Sequence, residues 1–102
     1  MQTHPLKLVT IICEALAAPH LQRLLAEQGA QGYTLFTVEG DGRQGRRTGE
    51  TRELANIQVE VIVSPGVAEQ LLARLAQDFF PKFAMVAYET EIRVLRQDKF
   101  AP

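Results

Sequence analysis

The stretch "ANIQVEVIVSPGVAEQLLARL", residues 55–75, changes its hydrophobic period in the middle. Before Ser64, Ile57, Val59, Val61 and Val63 alternate with Gln58, Glu60 and Ile62. That period of two predicts a strand with one well-defined core side. After Ser64, Val67, Leu71, Leu72, Leu75 and Phe79 recur at helical spacing and form one apolar stripe. "SPG" at 64–66 marks the switch: Ser64 suits an N-cap, and Pro65 suits the first helical position, where its missing N–H costs nothing. Pro81 then ends the helix. A strand feeding directly into a helix is the unit from which the rest of the chain is read.

The same unit recurs upstream. "LKLVTIIC", Leu6 to Cys13, is rich in β-branched residues and predicts a mostly buried strand. Pro19 fits the first turn of a helix that carries Leu21, Leu24, Leu25 and Gln28 at helical spacing, and Gly29 and Gly32 stop it. "YTLFTV", 33–38, is a second strand, and "AMVAYETEIRVL", from Ala84, is the last. On that last strand Val86, Tyr88, Thr90, Ile92 and Val94 share one face, opposed by Ala87, Glu89, Glu91 and Arg93. The order β-α-β-loop-β-α-β predicts an α+β, ferredoxin-like split βαβ domain over residues 1–102, with an antiparallel sheet and both helices on one side. Right-handed crossovers bring the first and third strands to the sheet centre. The other face is half-polar, with Gln58, Glu60 and the Glu89 set on it, and is either solvated or packed around a symmetry axis.

Bulk properties narrow the function. The formal net charge of −1 over 102 residues excludes a general nucleic-acid or membrane-surface binder, which needs a basic excess. The single cysteine, Cys13, has no partner for an intrachain disulfide and reads as a small core residue. Residues 1–5 lack the pattern of a secretory signal and no apolar run approaches a membrane span, so a cytoplasmic protein is expected.

Between the second and third strands lies "VEGDGRQGRRTGETRE", 38–53, with no apolar residue after Val38. Gly40, Gly42, Gly45 and Gly49 let a ligand approach the main chain, and Arg43, Arg46, Arg47 and Arg52 offer forks matched to phosphate or carboxylate. No Gly-Lys-Ser/Thr follows, so it is not a P-loop. By composition alone an anion site and a solvated loop stay equally open, since Glu39, Asp41, Glu50 and Glu53 offset the arginines. His4, in an expected floppy terminus, and His20, in the first turn of a helix, have no metal-ligand companions at useful spacing. Glu89 and Glu91 read as surface or intersubunit salt-bridge residues, and no nucleophile, base and acid can be assembled. Lys82 and Phe83, in "FFPKFA", read on their own as a helix stop with a surface lysine and an anchoring aromatic.

"GYTLFTVEGDGRQGRR", 32–47, resembles the second strand and T-loop base of PII signalling proteins, where Gly-x-Thr leads to Gly-x-Gly-Arg-Gln. The polar gap, "ANIQVEVIV" after it and the element order match as well, so the likeness covers nearly the whole chain. Three departures are informative. The Gly-Asp-Gly-Lys turn before the last strand is replaced by "FFPKFAM"; the loop has no tyrosine to accept a nucleotidyl group; and Arg93 and Arg96 depart from the usual Arg-x-Arg-Thr-Gly ending. In "GYT", the Gly-x-Gly before arginines and "ANI", the chain is similar to the PII-like subgroup linked to inorganic-carbon uptake, the bicarbonate-transporter-associated and carboxysome-associated proteins.

The resemblance implies a non-enzymatic homotrimer with a T-loop at about 40–54 and an adenine nucleotide in each intersubunit cleft. Carried over by position, Thr34, Gly40, Gly42, Arg43, Gln44 and Arg47 fall on the strand and loop base, and Lys82, Phe83 and Ala84 on the opposite turn. Loss of the glycine turn points to ADP, AMP or cyclic AMP rather than ATP, with bicarbonate as a second ligand held by Arg46 and Arg47, and no prosthetic group or metal. The loop would then read out to a membrane bicarbonate transporter. Three other classes compete with this reading. A small acyl-phosphate hydrolase needs an arginine cradle that "CEALAAPH", 13–20, lacks. RNA binding on an open sheet needs aromatics that the two central strands lack. A structural or metal-tolerance trimer of related fold has no need of the arginine loop.

Overall fold

The alternation at Ile57 to Val63 becomes a strand whose odd-numbered side chains are buried and whose even-numbered ones are half-exposed. The computed structural model describes residues 2–30, 32–39, 41–42, 45–46 and 56–96. In chain order these form β1 (His4–Glu14), α1 (Ala18–Glu27), β2 (Tyr33–Val38), β3 (Asp41–Gly42), β4 (Gly45–Arg46), β5 (Asn56–Val63), α2 (Pro65–Arg74) and β6 (Met85–Val94). A 3-10 turn, Ala15–Ala17, precedes α1, and a π-helical turn, Leu75–Phe79, extends α2.

The four long strands pair antiparallel in the order β2-β5-β1-β6, so the first and third long strands are central as expected. β3 and β4 form a separate two-stranded ribbon, too short for periodicity to reveal. The core lies between the sheet and both helices. Val9, Ile11 and Cys13 of β1 and Ile57, Val59, Val61 and Val63 of β5 meet Leu21, Leu24 and Leu25 of α1 and Ala68 and Leu71 of α2. Each large aliphatic side chain buried there contributes about 1.5–3 kcal/mol of transfer free energy.

The helix boundaries follow local chemistry. The Ser64 hydroxyl accepts a hydrogen bond from Val67 N–H at 3.3 Å, satisfying one orphan donor of α2. After α1, Gly29 and Gly32 take φ values of 69° and 70°, a left-handed backbone that a side chain would oppose. In the π turn Phe80 N–H bonds Leu75 C=O, five residues back, at 3.0 Å. That wider turn buries both Leu75 and Phe79.

Two expectations are corrected. His4 is not in a floppy terminus: it opens β1 and pairs with Val94, because strand pairing with β6 extends the edge of the apolar run. On β6, Ala87 lies opposite Ile11 and packs on the core, and Glu89 lies opposite Val9 on the same side. The apolar set instead takes the open face, with Val86 58% and Tyr88 48% exposed. Alternation defines two faces; register with β1 decides which turns inward. Beyond the helices, Lys7 Nζ lies 3.2 Å from Glu91 Oε1 and 4.0 Å from Glu89 Oε1, so those acids serve a surface ion pair.

Candidate functional site

Antiparallel pairing sets the ends of β1 and β2 beside the starts of β5 and β6. Glu14, the last residue of β1, lies opposite Asn56, the first of β5, and Asn56 lies opposite Val38, the last of β2. Cys13 lies opposite Met85, the first of β6. The exit and return of the arginine loop therefore share an end with the turn at Phe80 to Ala84.

That turn is built by main-chain bonds to the π segment and by one carboxylate. Lys82 and Phe83 N–H both donate to Phe79 C=O at 2.9 Å. Ala84 N–H donates to Glu14 Oε1 at 2.8 Å. The contact joins residues that are 70 positions apart in the chain and holds the turn against the end of β1. Phe83 packs half-buried against the core, with its ring centroid 5.9 Å from those of His20 and Phe79. Lys82 is exposed.

Because the Glu14 bond is charge-assisted and partly shielded, its loss costs about 1.5–3 kcal/mol locally. Glu14→Ala is expected to speed amide exchange at Ala84 about tenfold or more, while Glu14→Gln, which keeps an acceptor oxygen, restores most protection. Unchanged exchange in Glu14→Ala, followed by NMR, contradicts the tether. Glu14 escaped the sequence reading because no local pattern links it to a turn so distant.

Of the residues expected at the site, Lys82, Phe83 and Ala84 do form one turn. Gly42 and Arg46 lie in the β3–β4 ribbon, which pairs Asp41 with Arg46 and Gly42 with Gly45. Gly40, Arg43, Gln44 and Arg47 lie outside the described residues, as does most of the expected T-loop span. Thr34 is exposed on β2, opposite Glu60 and four residues from the strand's end. It is not brought to the turn. β2 and β6 are the two outer strands, about 14 Å apart at the usual interstrand spacing. Within one protomer, then, the β2 half and the turn half of the expected site stand on opposite edges.

Cys13 is no rival centre. Burial, and secondarily the neighbouring charge of Glu14, pushes its thiol up to about 11, so the nucleophilic thiolate is disfavoured at neutral pH. Among the described residues no group of three or more His, Cys, Asp or Glu side chains is placed to hold a metal ion. No helix there is long and apolar enough to cross a membrane.

A family model for "nitrogen regulatory protein P-II" matches residues 6–99. The structure is similar to that of a PII-like signalling protein from Thermus thermophilus, with 40% sequence identity and a TM-score of 0.85 over 98% of this chain and 99% of that one. It is also similar to CPII, a nitrogen regulatory PII-like protein from Thiomonas intermedia. The CPII structure bound to ADP, AMP and bicarbonate matches at 28% identity and TM-score 0.89, covering 99% of this chain and 98% of that one. The CPII structure bound to ADP and bicarbonate matches at 30% identity and TM-score 0.87, covering 97% of each.

Proposed function

The chain belongs to the nitrogen regulatory protein P-II family and is a PII-like signalling protein, and from that premise we propose that it is a non-enzymatic sensor of adenine nucleotides and bicarbonate. Its nucleotide is ADP or AMP, with cyclic AMP as the alternative. The observation that carries this reading is the likeness, over nearly the whole chain, to CPII structures that hold ADP, AMP and bicarbonate.

The geometry supports a site shared between subunits. Thr34 and the loop base leave from the β2 edge, whereas Lys82, Phe83 and Ala84 precede β6 on the opposite edge. Packing the β2 edge of one protomer against the β6 edge of the next closes the gap, and repeating that contact closes a ring of three. Phe36, Val86 and Tyr88, exposed on the open face, would be covered in such a homotrimer. In each cleft the amides and forks of Gly40, Gly42, Arg43, Gln44 and Arg47 hold phosphate oxygens from one side, and Lys82 meets them from the other. Bicarbonate sits with Arg46 and Arg47. The T-loop, about 40–54, changes its conformational population with the ligand and reads out to a membrane bicarbonate transporter, which places the protein in the inorganic-carbon subgroup and in the cytoplasm.

Titration calorimetry with ADP, AMP, cyclic AMP and ATP, each with and without bicarbonate, tests the reading. Sub-millimolar binding of ADP or AMP, tightened by bicarbonate, is expected. Dissociation constants above about 1 mM, or weaker than roughly −4 kcal/mol, for every adenine nucleotide would overturn it.

A further inference from the structure

On the helical side, away from the sheet's open face, a groove of about 320 Å³ runs between α1 and the end of α2. That volume is at the small end of the range for small-molecule sites, about 300–1,000 Å³. Its apolar lining is largely aromatic. Phe83 lies between His20 and Phe79, tilted 37° and 39° to them, and Leu24 lines the groove with these rings.

The charges are sorted along it. Arg74 takes up both acids: its Nε lies 2.8 Å from Asp78 Oδ2 and its Nη2 3.6 Å from Glu27 Oε2. Arg23 and Lys82 also line the groove, are exposed, and make no ion pair or side-chain hydrogen bond among the described residues. The groove thus offers two cations with no ion-pair partner among the described residues above an aromatic floor, while its carboxylates are neutralised by a third cation. The π turn contributes Asp78 and Phe79 to one wall. Such turns are rare and occur disproportionately at functional sites.

We infer that this groove is a second binding site for a small planar organic anion, adjoining the proposed nucleotide cleft and sharing with it the turn of Lys82 and Phe83. The flat apolar body lies against Phe79 and Phe83, and the carboxylate or phosphate group lies between Arg23 and Lys82. An uncharged analogue gains only the ring contact and binds weakly. A carboxylate and a phosphate ester present the same charge-bearing oxygens, and their relative affinities identify which the groove prefers.

The test is amide chemical-shift mapping on the intact protein without nucleotide, which would otherwise compete for Lys82, using phenyl phosphate, benzoate and phenol as probes. Phenyl phosphate, benzoate or both should shift the amides of His20, Arg23, Glu27, Phe79 and Phe83, with phenol at least tenfold weaker. Arg23→Glu, an exposed change on the solvent side of α1, should weaken the anions about tenfold and leave phenol unchanged. Shifts confined to the β3–β4 ribbon, equal binding by phenol, or an Arg23→Glu affinity equal to that of the parent would each overturn the site. ADP is titrated separately: its failure to bind overturns the nucleotide reading, while the groove is judged on the probe shifts at α1 alone.

Discussion

Ile11→Ala is expected to lower the unfolding free energy by about 2–5 kcal/mol. Ile11 is fully buried at the middle of a central strand, opposite Val59 on one side and Ala87 on the other, with helical side chains above it. Its removed methylenes leave a cavity that two hydrogen-bonded neighbours prevent the strand from closing. Ile11→Val, which removes one methylene, should cost only about 0.5–1.5 kcal/mol. Urea unfolding at one fixed protein concentration measures both, since assembly makes apparent stability concentration-dependent. A loss below about 1 kcal/mol for the alanine variant, with unchanged denaturant slope, contradicts the core assignment.

Arg47→Ala should weaken ADP binding by about 10–150-fold, the equivalent of one charge-assisted hydrogen bond at about 1.5–3 kcal/mol. Glu53→Ala, six residues further along the same polar stretch, should change it by less than about threefold, as expected for a charge that acts only through a screened field. The pair is informative because both changes lie in one loop and alter charge by one unit. Equal effects in calorimetry would mean that the loop acts through its overall field, and Arg47 would lose its role as a phosphate contact.

Much of the fold was legible because its signals are local. Ile57 to Val63 declared a strand by alternation, Ser64 and Pro65 declared a helix start, and both readings hold in atomic detail. The ribbon Asp41–Gly42 with Gly45–Arg46 was not legible, since two-residue strands have no period. Nor was the inward face of β6. Val86 and Tyr88 outrank Ala87 and Glu89 in hydrophobicity, yet register with Ile11 turns Ala87 to the core. A single chain's apolar pattern does not distinguish burial under its own helices from burial against another copy.

The candidate site divides along the same line. Sequence by itself determined that a glycine- and arginine-rich stretch joins the second and third long strands, that Lys82, Phe83 and Ala84 follow the second helix, and that the element order is that of a split βαβ domain. These follow from neighbours in the chain, where propensity and period act. Only the tertiary structure decided that the end of β2 and the turn share one end of the sheet on opposite edges, that Glu14 holds Ala84, and that Arg74 engages Glu27 and Asp78 beside an aromatic floor. Those relations join residues far apart in sequence. They arise from strand register and helix packing, which bring distant backbone and side-chain atoms within hydrogen-bonding range only after the core has formed.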